Sequence, residues 1–185
     1  IICLALSWVG KSRAAEKSLE ASTSDQARSE ALEAIPLQKI TPEYRQAVQS
    51  VLQDTSVFRR LPTQVVDCDP DMFSFLAKNP EVLVEIWREL GITHVTLERI
   101  DANSFRMADN AGTTGKLVIV EQACEDSAQN RFVMYAEGSY EGKPFNKPVK
   151  AQCVLLLRSG SFVESNGRNY VAARPDSFIH IDRAS

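Results

Sequence analysis

Residues 69–91 read DPDMFSFLAKNPEVLVEIWRELG, and this stretch decides the fold. Asp69-Pro70-Asp71 and Asn79-Pro80-Glu81 each place a side chain that can cap a helix, then a proline, then an acid. Proline costs nothing at the first helical position, and an acid suits the positive end of the helix dipole. We therefore predict two short consecutive helices, over about 70–77 and 80–90, with Gly91 as the left-handed terminator of the second.

On the N-terminal side, the same cap–proline–acid signal occurs once more, at Thr41-Pro42-Glu43. It predicts a helix from about residue 42 to residue 53, with its apolar side chains on one stripe. Between this helix and Asp69 lies the segment PTQVVDC, residues 62–68, which has the β-branched content of a strand.

On the C-terminal side of Gly91 the apolar period changes from 3.6 to 2, which is typical of strands. The connections are short and rich in turn-forming residues, so successive strands are expected to be antiparallel neighbours. The sequence thus predicts an α+β fold, in which a strand and two short helices lead into a curved antiparallel meander of about six strands. The predicted strands cover residues 94–100, 104–108, 116–122, 131–138 and 149–158, with 169–173 and 177–182 as the last strand or strands.

The N-terminal 40 residues have a different composition from the rest of the chain. Residues 1–9, IICLALSWV, form an apolar run that is too short to span a bilayer but fits the central part of a signal peptide. Small residues at Ser12 and Ala14 suggest cleavage after residue 14, so export to the periplasm, cell envelope or medium is expected. Residues 15–40 are rich in Ala, Ser and Glu, which favours a flexible tether with helical character around 24–34.

Residues 41–185 are expected to form the single α+β domain. Its last residue, Ser185, could equally be the N-cap of a following helix, so the expected domain is truncated at its C-terminus. The formal net charge is −3 and the pI is about 5.5. With no basic stripe along the chain, nucleic acid is not an expected partner.

The order of strand, two helices and six antiparallel strands, over about residues 62–182, resembles the helix-grip fold shared by START domains, the birch-pollen-allergen family and polyketide cyclases. That resemblance implies a further long C-terminal helix, which this chain would lack. The segments RRLPTQVVDCDP (59–70), NPEVLVEIWRELGIT (79–93) and KAQCVLLLRSG (150–160) resemble a family of exported planctomycete proteins of unknown function. The second resemblance covers most of residues 41–185 and implies export and a common fold, but no activity.

Aromatic and Met side chains of the helices and strands could line an apolar pocket between helices and sheet. Ordinary core packing is the alternative, because every sheet needs an apolar cover. The candidate pocket residues are Phe73, Trp87, Phe105, Met107, Phe132, Met134, Leu155, Phe178 and His180.

The densest polar cluster is Asp67-Cys68-Asp69-Pro70-Asp71. Its three alternate carboxylates are weak candidates for a Mg²⁺ or Ca²⁺ site. The simpler interpretation is a strand end followed by a helix cap, since Asp69 and Asp71 already suit a helix start. Cys68, Cys124 and Cys153 are not spaced as zinc ligands. In an exported protein a pair of them could be oxidised, but the simpler interpretation is that Cys68 and Cys153, which lie in apolar runs, are free thiols that pack as small apolar side chains.

The expected function is a non-enzymatic binding module for an apolar or lipid-like small molecule, with peripheral association with the envelope. The alternative is a structural or interaction domain of the cell envelope that binds no ligand. A hydrolase or cyclase ranks third, because the sequence carries no recognisable catalytic motif. Its candidate residues would be Asp67, Asp69 and His180, and neither catalytic residues nor a cofactor is assigned.

Overall fold

The computed structural model describes residues 20–126 and 129–182, without the side chains of residues 125 and 126. Within these residues the chain forms four α-helices, one 3-10 helix and eight strands. The helices are α1 (Asp25–Glu33), the 3-10 helix (Leu37–Lys39), α2 (Pro42–Gln53), α3 (Pro70–Lys78) and α4 (Pro80–Glu89). The strands are β1 (Val57–Arg60), β2 (Gln64–Asp67), β3 (Thr96–Arg99), β4 (Ser104–Ala108), β5 (Thr113–Asp126), β6 (Gln129–Tyr140), β7 (Val149–Val163) and β8 (Asn169–Ile181).

The eight strands form one curved, open antiparallel sheet in the order β1-β8-β7-β6-β5-β4-β3, and β2 also pairs with β8. Strands β3 to β8 are therefore a meander in which each strand pairs with its neighbour in sequence. The predicted α+β class, with two short helices before a six-stranded meander, is confirmed. Helix α4 ends at Glu89, one residue before the predicted end, and the predicted terminator Gly91 adopts a φ of +69°.

The N-terminal edge of the sheet differs from the prediction. The predicted strand at residues 62–68 is present as β2, but a further short strand, β1, precedes it, and both pair with β8. The sequence VFRR of β1 was not predicted as a strand, because its four residues offer little periodicity. Conversely, β8 runs without interruption through Pro175, whereas the prediction left open one or two strands there.

The front face of the sheet is covered by α1 and α2. Its core contains Val118, Val133, Val154 and Phe178 from the strands. The buried residues that the N-terminal helical segment contributes to this core are Ala27, Ala31, Ile35, Ile40, Val48, Val51 and Leu52. The predicted stripe of α2 is thus buried as expected.

The prediction of a flexible tether over residues 15–40 is wrong for residues 25–40. The helical character near 24–34 is confirmed, but α1 packs on the sheet with Ala31 completely buried. The small Ala side chains that made the segment look unable to form a core allow the helix to approach the sheet closely. Residues 15–19, the predicted signal peptide at residues 1–14, and Ser185 lie outside the described residues. In the part of the chain that is described, no helix is long and apolar enough to span a bilayer.

The back face of the sheet carries a second core of Phe105, Ile119, Phe132 and Met134, against which Ala77 of α3 packs. Arg99 of β3 fixes the junction between α3 and α4. Its guanidinium donates to the Lys78 carbonyl, to Asn79 Oδ1 at 2.9 Å and to Glu81 Oε1 at 2.7 Å. In this way the two helices are held across the back face.

The three predicted helix starts are confirmed, but only one uses the predicted cap. Asp69 Oδ1 accepts hydrogen bonds from the amides of Asp71 and Met72, at 2.8 and 3.2 Å. The Thr41 hydroxyl instead donates to the Val120 carbonyl of β5, and Asn79 uses its side chain on Phe75 and Arg99. Tertiary contacts with the sheet therefore take over two of the three capping groups.

Candidate functional site

Five of the nine predicted pocket residues share the back face. Phe105, Phe132 and Met134 belong to its core, Leu155 packs against that core, and Met107 pairs with Leu97 on the same face. Phe105 and Phe132 have no exposed surface at all. These two rings therefore pack in the core, which was the alternative to lining a pocket.

Phe73 of α3 is half-buried and Trp87 of α4 is 41% exposed. Not one residue of α3 or α4 is fully buried. These helices therefore lie over the back face without completing its cover, and they present much apolar surface to solvent. The large apolar side chains of this surface, here called the α3–α4 apolar surface, are 41–68% exposed and comprise Met72, Phe75, Ile86, Trp87, Leu90 and Ile92.

The prediction that Phe178 and His180 line one pocket with the back-face residues is wrong, because both side chains lie on the other face of the sheet. They pair with Val154 and Gln152 of β7, so their side chains point to the front face. Phe178 is fully buried there against Phe58, with ring centroids 4.9 Å apart. The prediction failed because successive side chains of a strand point to opposite faces. The sequence did not reveal whether the even- or the odd-numbered residues of β8 face α3 and α4.

His180 instead adjoins an open polar cavity of about 1000 Å³ at the end of α2. Its Nδ1 lies 2.6 Å from the Asp54 carbonyl oxygen and 3.4 Å from Asp54 Oδ2, and its Nε2 lies 3.3 Å from Asp182 Oδ1. The imidazole thus sits between two carboxylates, an arrangement that ties β8 to the end of α2. His94, the other histidine, is exposed.

The acidic cluster at the start of α3 forms a strand end and a helix cap, as in the simpler of the two interpretations of the sequence. Asp67, the last residue of β2, pairs with Arg168, which directly precedes β8. Asp69 caps α3, and Asp71 lies in its first turn. His180 lies at the opposite end of β8 from the Asp67 partner Tyr170, so Asp67, Asp69 and His180 do not form one site. Among residues 20–126 and 129–182, no three or more His, Cys, Asp or Glu side chains are grouped to hold a metal ion. Cys68, Cys124 and Cys153 are free thiols.

The structure reveals a charged cluster on the front face that the sequence did not. Asp176 is fully buried and accepts hydrogen bonds from Arg60 Nε at 2.6 Å and from Arg158 at 2.8 Å. Arg60 also donates to Glu30 and to the Ala27 carbonyl of α1, at 2.8 and 3.0 Å. Arg60 and Asp176 are 116 residues apart in the chain, so only the strand register brings them together.

A pocket of about 540 Å³ adjoins this cluster, between the end of α1 and strands β6, β7 and β8. Three arginines from successive strands line it: Arg131, Arg158 and Arg174. Arg131 makes a two-pronged ion pair with Glu121, through Nε at 3.1 Å and Nη2 at 2.8 Å. Three separate arginines in three strands give no recognisable motif, so sequence reasoning could not have grouped them.

Comparison with known proteins adds no family assignment. No protein-family model matches the chain, and no match to it was found among curated proteins or solved structures.

Proposed function

We propose that the domain is a binding module for an apolar or lipid-like molecule, which it takes up through the α3–α4 apolar surface. The observation that carries this proposal is the exposure of six large apolar side chains within residues 72–92. Single exposed apolar residues are ordinary, but six of them on two consecutive helices and the residues just after them indicate a surface that binds a partner molecule.

The chemistry of this surface favours an aliphatic ligand. Met72 is flexible and polarisable, so it adapts to an irregular hydrocarbon surface. Trp87 and Phe75 offer flat faces, and the half-buried Phe73 and Leu76 continue the apolar surface towards the sheet. At about 25 cal/mol per Å² of apolar area removed from water, covering even about 200 Å² of each partner would contribute about 10 kcal/mol before the costs of association.

As the sequence predicts, such a module would be exported and would associate peripherally with the envelope. The alternative, a structural domain that binds no small molecule, predicts that the same apolar surface contacts a protein. No group in the described part of the chain favours the hydrolase or cyclase hypothesis over these two.

Extraction of bound lipid tests the proposal directly. The full chain, purified without detergent, is extracted with organic solvent and the extract is analysed by mass spectrometry. We expect a lipid or fatty acid at a fixed ratio to protein, and its loss in Ile86→Asp. The matched control is Val163→Asp, which changes an exposed valine at the end of β7 in the same way and should retain the ligand. Equal lipid content in the two variants would contradict the proposal, and an empty wild type that captures a specific envelope protein would favour the alternative.

A further inference from the structure

The three arginines of the front-face pocket form a row across the sheet. In the strand register Arg131 pairs with Arg158, and Arg158 pairs with Arg174. Directly paired residues have their Cβ atoms about 4.5–5.5 Å apart, and like charges in such positions destabilise a sheet. The row therefore needs negative charge close to each guanidinium.

The protein supplies that charge to two of the three arginines. Glu121 binds Arg131, and Asp176 binds Arg158. Asp176 is shared with Arg60, however, so its carboxylate already serves two cations. Among the side chains that the structure describes, no carboxylate forms an ion pair with Arg174.

The environment of Arg174 is unfavourable for its charge. Partial burial lowers the pKa of its guanidinium, and the nearby Arg158 and Arg60 lower it further. The carboxylates of Asp176 and Glu30 offset this lowering only in part. In addition, Nε of Arg158 is buried and has no hydrogen-bond partner among the described residues. A buried donor left without a partner destabilises the folded protein, because it has lost its hydrogen bond to water. Among the described residues, the pocket therefore contains one guanidinium without an ion-pair partner, that of Arg174, and one buried N–H without an acceptor, that of Arg158 Nε.

The shape of the pocket suits a small organic molecule. Its volume of about 540 Å³ lies within the usual range for ligand sites. Ala34 and Pro36 at the end of α1 form an apolar wall opposite the arginine row, and Ala172 contributes from β8. Glu33 also lines the pocket, but it is exposed, so solvent screens its charge.

We propose that this pocket binds a small organic anion, whose carboxylate or phosphate oxygens accept hydrogen bonds from Arg174 and from Nε of Arg158. Guanidinium groups match both oxyanions because their paired N–H groups bind two oxygens at once. The pocket lies on the opposite face of the sheet from the back-face core, so this site is independent of the proposed apolar one.

The test uses the full chain, with inorganic phosphate and succinate as probes at constant ionic strength. Binding is measured by titration calorimetry and by the thermal unfolding midpoint. We expect at least one probe to bind saturably and to raise the midpoint, because a ligand that binds the folded state stabilises it. Binding of phosphate alone would indicate a phosphate ester as the ligand, and binding of succinate alone would indicate a carboxylate.

Arg174→Gln should weaken the binding of that probe at least tenfold. Without a probe this variant should be no less stable than the wild type, because it removes like-charge repulsion. Arg106→Gln is the matched control, since Arg106 is exposed on β4 and its guanidinium lies a long 3.7 Å from the exposed Glu98 carboxylate. It should bind the probe as the wild type does.

Ala172→Asp provides a second variant, should Arg174→Gln fail to fold. Its carboxylate would enter the pocket beside the arginine row and compete with the probe, so we expect binding to be lost and the unfolding midpoint to rise. Absence of saturable binding of either probe to the wild type would overturn the proposal. So would unchanged affinity in Ala172→Asp or in a folded Arg174→Gln.

Discussion

The guanidinium of Arg60 lies 2.6 Å from the fully buried carboxylate of Asp176, and this contact joins β1 to β8 beneath α1. The same guanidinium reaches the Ala27 carbonyl and Glu30 of α1. One side chain therefore binds the edge of the sheet to the N-terminal helix. This arrangement explains why α1 is part of the folded domain although its sequence resembles a tether.

Replacing Asp176 should be strongly destabilising. Asp176→Ala leaves the buried Arg60 and the neighbouring Arg158 without their shared carboxylate, and breaking a buried ion pair from one side costs about 3–5 kcal/mol. Urea unfolding of the variant and the wild type measures this free-energy difference. Glu98→Ala, which removes an exposed partner of Arg106, is the control and should cost less than about 1 kcal/mol. A loss below about 1 kcal/mol for Asp176→Ala would show that the pair does not hold β1 in place.

The contact between Glu30 and Arg60 gives a prediction about acid stability. The hydrogen bond from Arg60 lowers the pKa of Glu30. A carboxylate with a lowered folded-state pKa contributes stability above its unfolded-state pKa, and this stability is lost as the pH falls through the folded-state pKa. Thermal unfolding should therefore show Glu30→Gln less stable than the wild type at pH 7. The gap should close as the pH falls below the usual range for Glu, and a gap that stays constant from pH 7 to pH 2 would contradict this account.

The N-cap of α3 offers a test of the helix-start analysis. Asp69→Ala removes the two hydrogen bonds from Asp69 Oδ1 to the amides of Asp71 and Met72, which should cost about 1 kcal/mol. Asp69→Asn keeps an acceptor at this position and should recover most of that loss. Chemical denaturation compares the three proteins. Equal stability of the Ala and Asn variants would mean that the cap does not stabilise α3.

The thiol of Cys153 should be unreactive at neutral pH. Burial raises its pKa to about 11, so at pH 8 only about one molecule in a thousand carries the thiolate. Burial raises the pKa of Cys124 and Cys68 as well, but both are less enclosed. Iodoacetamide labelling followed by peptide mass spectrometry should therefore modify Cys153 last. Labelling of Cys153 as fast as Cys68 would show that β7 is less well covered than the structure indicates.

Local signals were sufficient for most of the fold. The cap–proline–acid pattern predicted the starts of α2, α3 and α4, because each signal acts within one helical turn. The alternation of apolar residues predicted β4 at residues 104–108, as observed. Two features depend on packing against the sheet and could not be predicted from local sequence. One is the burial of α1, and the other is that the Thr41 hydroxyl binds the Val120 carbonyl instead of capping α2.

The candidate sites were less predictable than the fold. Whether Phe178 faces the same side as Met134 depends on the registers of β6 with β7 and of β7 with β8. A shift of one residue in either pairing would exchange the two faces. The arginine row depends on the register of three strands at once. Composition alone can suggest that apolar residues line a pocket, but it cannot separate the buried Phe132 from the exposed Trp87.

The emission of Trp87 during titration with oleate tests the central claim most directly. Trp87 lies on the α3–α4 apolar surface, and the chain has a second tryptophan, Trp8, so Trp87→Phe identifies its share of the signal. The account predicts a saturable blue shift in the wild type as Trp87 leaves water, absent in Trp87→Phe and strongly weakened in Ile86→Asp. An emission spectrum of Trp87 that stays unchanged up to the micelle-forming concentration of oleate would contradict it.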